Sequence, residues 1–367
     1  MSPASGREQK FYVPTLDGVR AIAFLMVFAA HAGLERIVPG GLGVTIFFFL
    51  SGYLIATLLR LEGARTGTIS LRKFYLRRGL RILPPFYITL AVVFLLGLSG
   101  AMLIVAKPVA YLAAATFCLN YYEMLPNRWL LILPGLGTVW SLCVEEHFYL
   151  VFPIVYRSFL RRRLASGTQV KILLGGCLVA MLWRMVVVAL IPHIGFGPKW
   201  AYATTDCRFD SILWGVILAL HNNAWFGDRR EGLLARCKDW LAIAGLAGLV
   251  LSLVYRNEVF MQTARFTLQG VCLFPVFNYC IATGNSWVIR LLRLKVLRWI
   301  GTLSYTLYLC HLYILRELQI RSHDRMLVVD AAIAMALALA YAWTMNRLVE
   351  SPLKRWRLKL RAVNAPA

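Results

Sequence analysis

Apolar residues run along this chain in long stretches, broken by short polar or basic segments. Ten stretches are apolar enough to be read as membrane spans: residues 16–33, 42–61, 82–105, 139–155, 172–191, 209–220, 240–255, 266–282, 299–315 and 326–349. The sixth is the shortest and is polar at its start. The pattern predicts an all-α integral membrane protein, a bundle of about ten transmembrane helices. Residues 1–367 are expected to form a single transmembrane domain with no appended soluble domain. No small-residue cleavage site follows the first apolar stretch, so no signal peptide is expected.

Composition agrees with this reading. Apolar residues make up 59% of the chain and charged residues 16%, with a mean hydropathy of +0.65. A soluble domain carries roughly 25% charged residues. These values exclude a disordered chain, a disulfide scaffold and almost any soluble enzyme. The 8 cysteines form no C-x-x-C pair and mostly lie in apolar runs. They read as small buried residues, and no metal site is expected.

The net charge of +23 would suggest nucleic acid in a soluble protein. Its distribution points elsewhere. With a cytoplasmic N-terminus, the inner segments, span ends included, hold 28 Lys and Arg and the outer segments 10, and the remaining two, Arg20 and Arg184, lie inside spans. This alternation predicts both termini in the cytoplasm and needs no nucleic-acid partner. Residues 106–138 form the one long outer segment. Its apolar pieces, 109–119 and 129–136, are too short to span and are expected to lie at the interface or re-enter the bundle. No internal repeat is visible, which weighs against a transporter.

Ionisable residues inside spans are costly and therefore informative. The first span carries Arg20 and His31, eleven residues apart. On an ideal helix that spacing puts both on one face, about 16 Å apart along the axis. The plainer alternative is a snorkelling Arg and a hydrogen-bonded interfacial His. The fourth span opens with Trp140, Ser141, Glu145, Glu146 and His147. Adjacent glutamates point about 100° apart and cannot both face one partner. Asp206, Arg208 and Asp210 open the sixth span at a spacing that permits a local ion pair. Ser304, Tyr308 and His311 line one face of the ninth. Ser51-Gly52, followed by Tyr53, is a small pair suited to close helix contact. The basic loop before the third span carries Arg77, Arg78 and Arg81. These are either a positive-inside anchor or a phosphate clamp, since Arg forks suit phosphate oxygens.

Taken in order, these segments resemble the membrane-bound acyltransferase-3 family. The likeness rests on Arg20 and His31 with ten residues between them, and on Phe47-Phe48-x-Leu50-Ser51-Gly52-Tyr53. It continues through Arg77-Arg78-x-x-Arg81-x-x-Pro84 and Trp140-Ser141-Leu142-x-Val144-Glu145-Glu146-x-Phe148-Tyr149. Arg208-x-Asp210, Ser304-Tyr305-x-x-Tyr308-Leu309-x-His311 and Glu350-Ser351-Pro352 complete it. His147 stands where that family usually has Gln or another polar residue. The resemblance implies a multi-pass enzyme of the bacterial inner membrane. Such an enzyme moves an acyl group, most often acetyl, from cytoplasmic acyl-CoA to a hydroxyl. Its acceptors include sugars of lipopolysaccharide, exopolysaccharide or peptidoglycan, and small molecules such as macrolides.

Acyl transfer from a thioester to an alcohol needs a base and donors for the oxyanion. His31 is the candidate general base, or the residue that carries the acyl group transiently. Glu145 is the candidate for orienting His31 or the acceptor. Arg20, with Arg77, Arg78 and Arg81, is expected to hold CoA phosphates or stabilise charge. Ser51, Tyr53, Trp140, Ser141, Arg208, Asp210, Tyr308 and His311 are the candidate acceptor-binding residues. A transporter and a non-catalytic membrane partner are the competing readings.

Overall fold

The computed structural model describes residues 11–102, 107–125, 135–190, 197–226, 237–282, 284–322 and 327–362. A helix of at least 16 residues occupies each of the ten apolar stretches. These are α1 (Pro14–Ala29), α2 (Gly40–Thr66), α3 (Leu71–Leu98), α6 (Val139–Arg161), α7 (Ser166–Leu190) and α9 (Thr205–His221), then α10 (Lys238–Val254), α12 (Ala264–Ile281), α14 (Lys295–Arg321) and α15 (Leu327–Met345). Between them lie the shorter α4 (Pro108–Ala115), α5 (Leu119–Tyr122), α8 (Gly197–Ala203), α11 (Glu258–Gln262) and α13 (Trp287–Leu292). The last described helix is α16 (Ser351–Ala362). Among the described residues, five helical stretches are long and apolar enough to cross a membrane: Pro14–Leu34, Gly40–Thr66, Leu71–Leu98, Ser166–Leu190 and Leu327–Trp356.

The basic segment before the third span is helical, which corrects its reading as a loop. α3 begins at Leu71 and runs through Pro84 and Pro85. Leu, Arg and Lys favour helix, and the charges had masked the continuity of the apolar pattern. Glu62 ties this turn down: it accepts the Ser70 backbone N–H at 2.8 Å and pairs with Arg77 at 2.7 Å. The 109–119 piece forms α4 and the start of α5 and lies on α3, where Phe117 stacks on Phe86. Most of 129–136 lies outside the described residues.

Polarity is inverted relative to a soluble protein. Arg184, Arg208, Asp210 and His311 are fully buried, whereas Leu95, Val179, Leu251 and Val328 are exposed. That is the arrangement of a bundle whose solvent is hydrocarbon. Small residues set the helix approaches. A Cβ on Gly52 would collide with the Ile212 carbonyl oxygen, and one on Gly215 with that of Phe49, so α2 and α9 meet backbone to backbone. Ala334, Ala338 and Ala342 repeat every fourth residue along α15, fully buried in a cluster with Leu303 and Leu307 of α14. The short polar sixth span becomes the buried helix α9, because its polar groups find partners inside the bundle. All eight cysteines are free thiols, six of them buried.

Candidate active site

α1 does not end as a regular helix. Ala30–Leu34 form a π turn, with Gly33 at a φ of +100°. Inserted π turns recur at functional sites, and this one carries His31. The turn also breaks the ideal phase that would set His31 and Arg20 on one face. His31 Nδ1 lies 3.0 Å from His311 Nε2, and the rings stack at 5.3 Å between centroids.

The hydrogen-bond network fixes the tautomers. His311 Nδ1 faces two carbonyl oxygens, of Tyr308 at 2.9 Å and Leu307 at 3.1 Å, and must carry a proton to donate. With neutral rings, His311 Nε2 is then an acceptor and His31 Nδ1–H donates to it. His31 is left with its lone pair on Nε2.

His31 lines a cavity of about 500 Å³ at the end of the bundle where α1 meets α2. Trp140, Tyr202, Phe266, Gln269 and Tyr308 form other parts of its wall, and Arg36, Arg256 and Arg265 are its cations. The Tyr308 hydroxyl and Ser141 Oγ lie 2.7 Å apart, linking α14 to α6 beside the cavity. Of the predicted residues, the structure gathers His31, His311, Trp140, Ser141 and Tyr308 here. Gln269, Tyr202, Phe266 and Arg265 were not anticipated. They lie in apolar or loop segments where nothing in the sequence singles them out.

Glu145 belongs to a second cluster. One of its oxygens accepts from Ser51 Oγ at 2.6 Å and the other from Tyr149 OH at 3.0 Å. The Arg78 guanidinium covers the Tyr149 ring at 3.7 Å, and its Nε has no partner among the described residues. Arg20 is the second cation here, with Asp17, Arg78 and Glu145 among its charged neighbours and the Tyr149 phenol beside it. The expectation that Glu145 orients His31 is therefore corrected. Ser51 and Tyr149 hold its carboxylate, and His311 is the group that engages His31.

Four further expectations change. The local ion pair within 206–210 does not form, because residues two apart on a helix diverge by about 200°. Asp210 instead pairs through both oxygens with Arg184 of α7 at 2.8 Å, the two side chains fully buried. Arg184 also donates to Thr267 and to the carbonyls of Thr263 and Cys207. Asp210 is thus part of a structural clamp between α7, α9 and α12 rather than an acceptor ligand. Tyr53 donates to Asn223 Oδ1 at 2.8 Å, away from the cavity. Arg77 is engaged by Glu62, and Arg78 and Arg81 lie one turn apart on α3. Asp206 accepts from Tyr121 at 2.9 Å and from Trp200 at 3.1 Å. His147, the departure from the usual motif, lies 2.7 Å from Thr205 Oγ1 and joins α6 to α9.

Arg208 is fully buried behind the cavity wall. Its guanidinium lies 3.8 Å from the centre of the Phe266 ring and donates to Thr45 at 3.1 Å. Thr45 in turn donates to Gln269 at 3.2 Å.

Comparison with known proteins agrees with the motif order. A family model described as an acyltransferase domain, acyltransferase-3, matches residues 13–347. The chain is 29% identical over 370 residues to the peptidoglycan O-acetyltransferase OatA of Listeria monocytogenes, covering 95% of this chain and 57% of that protein. It is 28% identical to a putative O-acetyltransferase of Staphylococcus aureus, covering 95% and 58%. It is 30% identical over 324 residues to the putative peptidoglycan O-acetyltransferase YrhL of Bacillus subtilis, covering 82% and 48%. The chain therefore spans about half the length of these relatives. No solved structure matches it. With a family match over nearly the whole chain and the family's Arg and His brought to two polar centres of one bundle, the chain belongs to the membrane-bound acyltransferase-3 family.

Proposed function

We propose that this domain is an O-acyltransferase that moves an acyl group, in the simplest case acetyl, from cytoplasmic acyl-CoA to a hydroxyl of a cell-envelope glycan. Acyl transfer follows from the family. A glycan acceptor follows from the relatives, two of which are named for peptidoglycan. The observation that carries the chemistry is the His31–His311 pair on a cavity with room for a sugar unit.

His31 Nε2 takes the proton of the acceptor hydroxyl as its oxygen attacks the thioester carbonyl carbon. The new C–O bond forms, the C–S bond breaks, and the departing thiolate takes the proton back from Nε2. His311 holds the His31 ring and stabilises it while it is charged. With both termini cytoplasmic, the cavity faces outward and Arg20 lies toward the inside. Arg20, Arg78 and Arg81 would then hold the CoA phosphates. The ~16 Å from Arg20 to His31 on an ideal helix matches the reach of an extended pantetheine arm.

Thiol release from acetyl-CoA by detergent-purified protein tests the donor. Arg20→Gln and Arg78→Gln are each expected to raise KM for acetyl-CoA by about tenfold or more, through loss of a charge-assisted contact. Unchanged KM in both variants would reject Arg20 and Arg78 as the phosphate-holding groups, and no thiol release in the presence of an envelope glycan extract would remove acyl-CoA as donor.

A further inference from the structure

The cavity beside His31 is electrically one-sided. Among the described residues its charged walls are Arg36, Arg256 and Arg265 against the single carboxylate Glu35. Arg208 adds a fourth guanidinium directly behind the wall. It lies 3.8 Å from the centroid of the Phe266 ring, 5.5 Å from that of Tyr202 and 6.0 Å from that of Trp140, three rings that line the cavity. Its chain to the cavity is also polar, through Thr45 to Gln269.

Among the described residues no carboxylate forms an ion pair with Arg208. Asp210, two residues on, is taken through both oxygens by Arg184. Arg208 Nε and Nη1 have no hydrogen-bond partner among the described residues, and neither does Arg265 Nε. An unpaired buried guanidinium is among the most costly groups a fold can hold. A cavity with low-dielectric walls focuses such charge onto whatever occupies it.

We propose that this cavity selects acceptors whose sugar carries an anionic oxygen group, a carboxylate or a phosphate, and that Arg208 supplies the selecting charge. Trp140, Tyr202 and Phe266 offer flat apolar faces for the ring, and the guanidinium groups balance the anion. The proposal rests on the cavity being the acceptor site and narrows the acceptor from any glycan to an acidic one.

Saturation-transfer NMR on the detergent-purified full chain tests it without turnover. The probes are glucose, glucuronate and glucose 1-phosphate, the same ring with no charge, a carboxylate or a phosphate. At least one anion is expected to bind about tenfold or more tighter than glucose at low salt, the gap closing as salt rises. The tighter of the two identifies the anionic group. Arg208→Gln is expected to reduce the preference below about threefold, and Arg208→Lys, which keeps the charge, to retain it. If Arg208→Gln does not fold, Arg265→Gln at the cavity wall is the second variant and should at least halve the preference. Equal binding of glucose, no saturable binding of either anion, or an undiminished preference in the neutral variants overturns the proposal. Acetyl transfer to a neutral glycan with no anion preference would overturn it while leaving the acyltransferase reading intact.

Discussion

Replacing His311 by Leu isolates the contribution of the second ring. The side chain is fully buried beside Phe24 and Phe28, so an apolar residue of similar volume fits its surroundings. What is lost is the acceptor of the His31 Nδ1–H, at 3.0 Å. In the ground state this is a bond between neutral groups, with a net value of about 1 kcal/mol. When His31 holds the acceptor's proton the ring is cationic, and the same bond becomes charge-assisted, worth about 1.5–3 kcal/mol. Only the difference, about 0.5–2 kcal/mol, acts on kcat, which at about 1.4 kcal/mol per decade should fall roughly 2- to 30-fold. His311 does not line the cavity, so KM for the acceptor should stay within about twofold. His311→Gln keeps an acceptor oxygen and should recover part of the loss. The assay is steady-state acetyl transfer by purified protein, with gel filtration and thermal unfolding to confirm folding. A His311→Leu enzyme that keeps the wild-type kcat, beside an inactive His31→Ala, would refute the positioning role.

Two further outcomes follow from buried charges. Asp210→Asn leaves Arg184 unpaired at 0% exposure and should destabilise the protein by about 3–5 kcal/mol in thermal unfolding, whereas Arg184→Leu with Asp210→Leu should recover most of it. Glu123, beyond α5, is 8% exposed, and burial, opposed by Lys199, pushes its carboxyl up to about 7. The folded state then binds the proton more tightly than the unfolded chain. Stability is full below the ordinary carboxylate range and falls as pH rises toward about 7, by on the order of 3 kcal/mol. A Glu123→Gln variant should flatten that slope, and an unchanged slope would reject the assignment.

The helices were legible because lipid-exposed stretches announce themselves by uninterrupted apolar character, and each of the ten has its helix. Their ends were less so: α3 starts 11 residues before its apolar stretch because Arg and Lys continue the helix without continuing the hydrophobicity. Within the site, the residue types were visible and their partners were not. His31 and His311 are 280 positions apart, and Ser51 and Glu145 are 94 apart. No local spacing encodes such meetings. The clearest failure was local reasoning applied to Asp210, whose partner Arg184 sits on another helix and had been counted only as a charge inside a span. Gln269 and Tyr202 acquired meaning only once the cavity gathered them.

The central claim is that His31 drives acyl transfer at this cavity, and the direct measurement is transfer of labelled acetyl from acetyl-CoA to an envelope glycan by purified protein. Wild-type protein is expected to label the glycan, and His31→Ala, folded by the same criteria, to fall by about 10²-fold or more. Labelling by His31→Ala at the wild-type rate would contradict the account.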